Sequence, residues 1–237
     1  MTTTIKTLVH LTLGALLFSS CQWAEDPGPI QEETEYFSED NFYQIEVGDA
    51  LRVEIFQDNF FEVRARGDER NLDDLMVYTS GDRLFIRFED NDRRRHETYV
   101  YITLPRLTYL KVKQAANVRI DTWQAEEKLV FDFQEAASGT LQSLVAPEME
   151  FRLSGASCVN VSGETVQMDY VGKEASSLKG IDLFTQETHA VLEGASQLEV
   201  TVRDFLKARL DGASLLKYQG NPEIDSEVSG ASTLRKY

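Results

Sequence analysis

The stretch Leu192-Glu193-Gly194-Ala195-Ser196-Gln197-Leu198 returns 18 residues later as Leu210-Asp211-Gly212-Ala213-Ser214-Leu215-Leu216. The small triplet at its centre occurs seven times: Gln114-Ala115-Ala116, Glu135-Ala136-Ala137, Gly155-Ala156-Ser157, Glu174-Ala175-Ser176, Gly194-Ala195-Ser196, Gly212-Ala213-Ser214 and Gly230-Ala231-Ser232. Successive central alanines are 21, 20, 19, 20, 18 and 18 residues apart. A repeat of this length marks a solenoid, in which each repeat buries its apolar face only against its neighbours.

Working outward from the alanines, apolar residues fall at odd offsets. Three residues before them stand Val112, Phe133, Leu153, Leu192, Leu210 and Val228, with Gly172 the exception. Three residues after them stand Val118, Val159, Leu178, Leu198, Leu216 and Leu234, with Gly139 the exception. Period-two alternation sends successive side chains to opposite faces, the signature of a strand. Connectors such as Gly163-Glu164 and Gln219-Gly220-Asn221-Pro222 carry turn chemistry. The expected fold is all-β, a right-handed single-stranded parallel β-helix (β-solenoid) over residues 108–237, with equivalent strands stacked about 4.8 Å apart. A β-sandwich is the main rival, but its strands need not share one register. Glycine in the triplet would let the chain bend or two walls approach closely.

Residues 41–107 are strand-rich without the triplet. Tyr43-Ile45-Val47, Leu51-Val53-Ile55 and Leu84-Ile86-Phe88 alternate, and Ser80-Gly81-Asp82 reads as a hairpin turn. This part is expected to form irregular first coils or a cap, because an uncapped end exposes unpaired backbone. No such cap follows Leu234, so the last coil is expected either to pair with a second copy, giving a homo-oligomer, or to be blunted by Arg235 and Lys236.

At the other end, Lys6 precedes an apolar run from Leu8 to Phe18, and Ser19-Ser20-Cys21 follow. Residues 1–20 read as a secretory signal, too short to span a bilayer. Leu17-Phe18-Ser19-Ser20-Cys21 resembles a bacterial lipobox, which makes Cys21 the expected lipidation site of a lipoprotein. The anchor would hold it extracytoplasmically on the outer membrane, on the periplasmic face or the cell surface. Residues 21–40, rich in acids and breakers, read as a tether. Removal of the signal would take the formal charge from −16 to −17, because residues 1–20 contain one lysine and no acid. Such a surface repels phosphate backbones, which argues against nucleic acid as a partner. Acylation of Cys21 would leave Cys158 with no disulfide partner.

Taken in order, Leu51-Arg52-Val53-Glu54-Ile55, Gly67-Asp68-Glu69-Arg70-Asn71-Leu72, Gly81-Asp82-Arg83-Leu84-Phe85-Ile86, Tyr101-Ile102-Thr103-Leu104-Pro105-Arg106-Leu107 and the later Gly-Ala-Ser repeats resemble the head GIN domain family, described as "putative auto-transporter adhesin". The resemblance covers about residues 37 to 235. It implies a β-helical, extracytoplasmic protein with an adhesive role and no assigned catalytic residues. The first triplets depart from the pattern, with Gln or Glu in place of glycine.

If odd offsets face inward, even offsets form outer ladders, one rung per coil. Ala156, Ala175, Ala195, Ala213 and Ala231 would make a flat stripe, flanked four residues on by Asn160, Lys179 and Lys217 among others. A rigid, hydrogen-bonding face of this kind suits a glycan or an extracellular protein, since little ordering cost is incurred. Close packing of the coils is the simpler account of the small residues, since any solenoid needs them at its bends. A polysaccharide-active enzyme would need paired acids, for which Glu150 with Asp169 and Glu193 with Asp211 are the candidates by column. With 40 acids in the chain such pairs arise without selection for chemistry. His96 and His189 stand far apart with no cysteine cluster, Asp90-Asn91-Asp92 lacks the rest of a calcium loop, and Arg66-Gly67-Asp68 matches an integrin-type tripeptide for which chance is the preferred account and which the family resemblance places at a structural turn. The expectation is therefore a cell-envelope lipoprotein that binds glycan or protein ligands, uses no cofactor or metal and is not an enzyme. The alternatives are a self-assembling structural module and, behind it, a polysaccharide-active enzyme.

Overall fold

The computed structural model describes residues 28–90 and 96–237. The expected signal, Cys21, the start of the tether and residues 91–95, with Asn91 and Asp92 among them, lie outside the described residues. The chain divides into a unit of residues 1–30 and a unit of residues 31–237, and every described strand belongs to the second.

In chain order the strands are β1 (Glu32–Phe37), β2 (Gln44–Val47), β3 (Arg52–Gln57), β4 (Glu62–Asp68), β5 (Leu75–Ser80), β6 (Arg83–Phe88), β7 (Tyr99–Leu104), β8 (Tyr109–Val112), β9 (Asn117–Ile120), β10 (Trp123–Gln124), β11 (Leu129–Phe133), β12 (Ser138–Leu153), β13 (Cys158–Gly172), β14 (Ser177–Leu192), β15 (Gln197–Leu210), β16 (Leu215–Gln219), β17 (Glu223–Val228) and β18 (Thr233–Lys236). A four-residue helix, α1 (Glu69–Leu72), separates β4 from β5. One wall runs β5–β6–β2–β8–β11, continues through the C-terminal halves of β12 to β15 and ends on β17. The facing wall runs β1–β4–β7–β3–β9, continues through the N-terminal halves of β12 to β15 and ends on β16 and β18. Each of β12 to β15 bends from one wall to the other, so one coil contributes a rung to both.

The odd offsets do face inward. Leu153, Leu192 and Leu210 on one wall meet Val159, Leu178, Leu198 and Leu216 on the other, all buried. The two glycine exceptions have a steric cause. A Cβ on Gly139 would lie 2.7 Å from the Phe133 ring, and one on Gly172 would lie 2.4 Å from the Tyr170 hydroxyl. In each case an aromatic ring occupies the space that an apolar side chain fills in other coils. The Tyr170 hydroxyl donates to the Gln197 carbonyl at 3.1 Å, and burial pushes its pKa far above the usual phenol value.

The triplet is the turn between walls, and its first residue is left-handed in every coil: φ is 52° at Gln114, 54° at Glu135, 70° at Gly155, 58° at Glu174, 74° at Gly194, 82° at Gly212 and 68° at Gly230. In the first two coils the alanine is left-handed as well, the sign pattern of a type I′ turn, which accepts residues other than glycine. From Gly155 onward the alanine is not, and glycine takes the first position in all coils but one. These turns stack closely. The N–H of Ala195, Ala213 and Ala231 donates to the first triplet carbonyl of the preceding coil at 2.6 Å.

The N-terminal part adds two features to this picture. The solenoid turn occurs an eighth time, at Asp49-Ala50-Leu51, where Asp49 and Ala50 both have φ of 57° and the Ala50 N–H donates to the Gln114 carbonyl at 2.8 Å. The coil made by β2 and β3 thus belongs to the parallel stack, one of the irregular first coils read over residues 41–107. Residues 32–37, expected in the tether, are instead β1, an antiparallel edge strand on β4. Six residue pairs join the two strands, and Arg66 of β4 pairs with Glu32. The β5–β6 hairpin and the antiparallel β1 and β4 finish that end of the stack.

Candidate binding surfaces of the solenoid

The outer columns form as their spacing predicts. On the second wall Thr140, Asn160, Lys179, Glu199, Lys217 and Arg235 stand in one register line across successive coils. Ser138, Cys158, Ser177, Gln197 and Leu215 form a second line beside it. Asn160 and Lys179 are exposed, whereas the Lys217 ammonium is tied to Glu199 at 2.7 Å and sits 5.6 Å from the Tyr237 ring centre. Cys158 is half-buried within its polar line.

Ala156, Ala175, Ala195, Ala213 and Ala231 are all exposed at the turn. Their stripe is flat, and stacking accounts for much of its composition. Beside them a Cβ on Gly212 would lie 2.6 Å from the Gly194 oxygen, and one on Gly230 would lie 2.4 Å from the Gly212 oxygen. The third triplet residue points inward, and the buried hydroxyls of Ser157 and Ser196 find no hydrogen-bond partner there.

The acids proposed by column are held by neighbouring donors. Glu150 lies opposite Asp169, and Lys128 reaches both, at 2.8 Å and 4.0 Å. Burial works to raise the Glu150 carboxyl, but hydrogen bonds from Lys128 and Arg152 outweigh it and hold the group below the ordinary range. A general acid needs the opposite shift. Asp211 accepts from the Ser229 hydroxyl at 2.8 Å and from the Gly212 N–H at 2.8 Å, which lowers its pKa too. Within Arg66-Gly67-Asp68 the aspartate is only 1% exposed. Its carboxylate caps α1, accepts from the Arg70 side chain at 2.7 Å and takes the Gln31 N–H at 3.3 Å. Those donors, Arg70 first, hold it well below the usual carboxylate range. The tripeptide is therefore a structural corner and does not present its carboxylate to solvent. Among the described residues no group of three His, Cys, Asp or Glu is placed to hold a metal ion.

One concave feature escaped the sequence reading. At the bend in the middle of β12 to β15 a groove of about 650 Å³ opens between successive coils, bordered by Val145, Val166 and Phe184. All three are exposed. Their inward neighbours Ala146, Thr165, Thr185 and Val202 close the core beneath. The register shows why the groove lies there. The fall in repeat length from 20 to 18 residues is absorbed wholly at this bend: β14 and β15 pair in step up to Gly180 with Val200 and again from Glu187 with Phe205, and β15 makes the intervening passage with two fewer residues. The signal was present in the spacing of the alanines, but nothing in it said where in the coil the shortening falls.

A family model described as "Putative auto-transporter adhesin, head GIN domain" matches residues 41–222, more than half of the chain. Among solved structures, a putative adhesin from Bacteroides fragilis NCTC 9343 is 17% identical, with a TM-score of 0.83 over 87% of this chain and 97% of that one. A putative adhesin from Parabacteroides distasonis ATCC 8503 gives 15% identity and a TM-score of 0.65 over 89% and 98% of the two chains. A protein of the same organism described as a putative lipid binding protein gives 16% and 0.67 over 87% and 96%. At these identities the likeness is one of fold. No curated protein matches the chain.

Proposed function

The chain belongs to the head GIN domain family of putative auto-transporter adhesins, and on that premise we propose that it is a lipoprotein of the cell envelope whose solenoid is a rigid adhesive rod for glycan or protein ligands. The observation that carries this reading is the unbroken register of the second wall, which sets Asn160, Lys179 and their neighbours in line at one rung per coil. An extended ligand with a repeat of its own can meet such a line with many weak contacts, and the backbone is already ordered before it arrives. Family membership favours an extracytoplasmic location. Lipidation at Cys21 supplies the anchor in this reading, and Cys21→Ser should leave the chain unacylated and released from the membrane fraction.

The test is binding of the purified chain to an array of glycans and extracellular-matrix proteins, with an Ala156→Lys, Ala195→Lys, Ala213→Lys variant alongside. All three alanines are exposed, so the variant should fold. Specific binding that the lysines abolish would support a ligand lying along the turn and the adjoining columns. Undiminished binding would remove the stripe from the site, and silence toward every ligand would sink the adhesin reading.

A further inference from the structure

We propose that the groove at the mid-coil bend is a subsite for one neutral sugar residue of a glycan, seated on the ring of Phe184. The inference deepens the adhesin reading and rests on it. The groove's volume of about 650 Å³ falls inside the range of about 300–1,000 Å³ usual for small-ligand sites. Phe184 is 56% exposed, with Val166 at 49% and Val145 at 44% beside it. These side chains point away from a core already closed by the residues between them, so the fold does not require them to be apolar. The three outward apolar side chains are thereby grouped at one place on the surface, around the groove.

The polar groups around them decide the chemistry. The Gln186 amide and the Glu164 carboxylate border the same space, as does Asn221, whose Oδ1 already accepts from the Lys236 ammonium at 2.6 Å and leaves its N–H groups as donors. Arg203 borders it too, but its guanidinium is held by Asp204 at 2.8–3.0 Å, so it adds donors without adding net positive charge. The floor is pinned: the Thr185 hydroxyl lies 2.7 Å from that of Thr188 and donates to the Thr201 carbonyl at 3.1 Å, and the Thr201 hydroxyl donates to the Ile181 carbonyl at 2.6 Å. A pyranose presents a C–H face and a rim of hydroxyls. The face fits an aromatic ring, and the rim fits planar side chains that donate and accept in one plane. An acyl chain would strip water from Glu164, Gln186 and Asn221 and return no hydrogen bond. A sulfated or carboxylated sugar would meet Glu164 on a chain of formal charge −16. A neutral sugar satisfies both halves of the lining.

The experiment places the purified chain on an array of neutral glycans, acidic glycans and matrix proteins, and mixes it with phosphatidylcholine vesicles. Wild type is compared with Phe184→Lys, with the Gln186→Ala, Asn221→Ala pair and with the triple lysine variant at the turn, melting temperature being checked for each. The expected result is neutral-glycan binding weakened at least tenfold by Phe184→Lys and by the amide pair at unchanged melting temperature. Should Phe184→Lys fail to fold, the amide pair carries the test. Neutral-glycan binding unaffected by the groove variants, or lost only in the turn variant, would overturn the groove while leaving the adhesin reading intact. Binding to matrix proteins alone would do the same. Phe184-dependent binding to vesicles would replace sugar by lipid, and silence toward every ligand would remove both readings.

Discussion

Replacing Gly212 by alanine puts two separate strains on one residue. Its φ of 82° lies in the left-handed region, which costs a residue with a Cβ about 1–2 kcal/mol. The added Cβ would also stand 2.6 Å from the Gly194 oxygen and 3.1 Å from the Gly194 Cα and nitrogen, well inside the normal separation of about 3.5 Å or more. Those are backbone atoms of the next coil and cannot swing aside. The turn must lift, stretching the 2.6 Å bond from the Ala213 N–H to the Gly194 carbonyl, which is worth about 1 kcal/mol. The sum is about 2–3 kcal/mol, or a fall in melting temperature of about 4–12 °C for a chain of this size. Gly81→Ala supplies the control, because Gly81 has φ of 66° with nothing within 4 Å of its would-be Cβ. It should lose only the conformational part, about 1–2 kcal/mol. Thermal melts followed by circular dichroism on both variants separate the two effects. Equal losses would refute the close stacking of the turns.

Leu198 is fully buried, so Leu198→Asp forfeits about 1.5–3 kcal/mol of burial and adds the desolvation of a carboxylate; wild-type-like melting would mean that the inward register is wrong. Ser157→Ala should be neutral or stabilising by up to about 1–3 kcal/mol, since the hydroxyl is buried without a partner and Ala116 and Ala137 already stand at the same place in earlier coils; a clear loss in urea midpoint would show that the hydroxyl is satisfied. Asp68, whose carboxyl is held low chiefly by Arg70, stabilises the fold above the unfolded carboxylate pKa of about 3.9 and loses that contribution as pH falls toward its folded value. The advantage of wild type over Asp68→Asn should therefore be full at pH 7 and shrink below about pH 4, and an advantage that persists in acid would contradict the assignment.

The sequence made the coil legible because the turn demands a left-handed first residue and close backbone approach, and both demands select small residues at a fixed place. The same physics hid the first copy. Where two successive residues are left-handed the turn tolerates Asp49 and Ala50, so no Gly-Ala-Ser remains to be seen, and that copy stands 65 residues before Ala115. Glu32 reads as solvated tether because its counter-charge, Arg66, sits on β4, which only the fold brings beside it. The outer columns were readable from period two alone. The groove was not, since Phe184 and Val166 look like ordinary strand residues until register shows them on the outer surface of the bend.

The coil of β2 and β3 has later-made neighbours on both sides, β6 with β7 on one and β8 with β9 on the other. A ribosome therefore delivers it long before either flank exists, and it must wait, half-paired at best, until residues near 120 have emerged. After that point the order reverses, and each new coil meets a finished edge ready to receive it. Synthesis should thus pass through an early, aggregation-prone stage and then a zipper-like one. By the same logic, a coil removed between Ala156 and Ala213 leaves two like edges that can rejoin, whereas removing one at the interleaved beginning strips β2 and β3 of a flank.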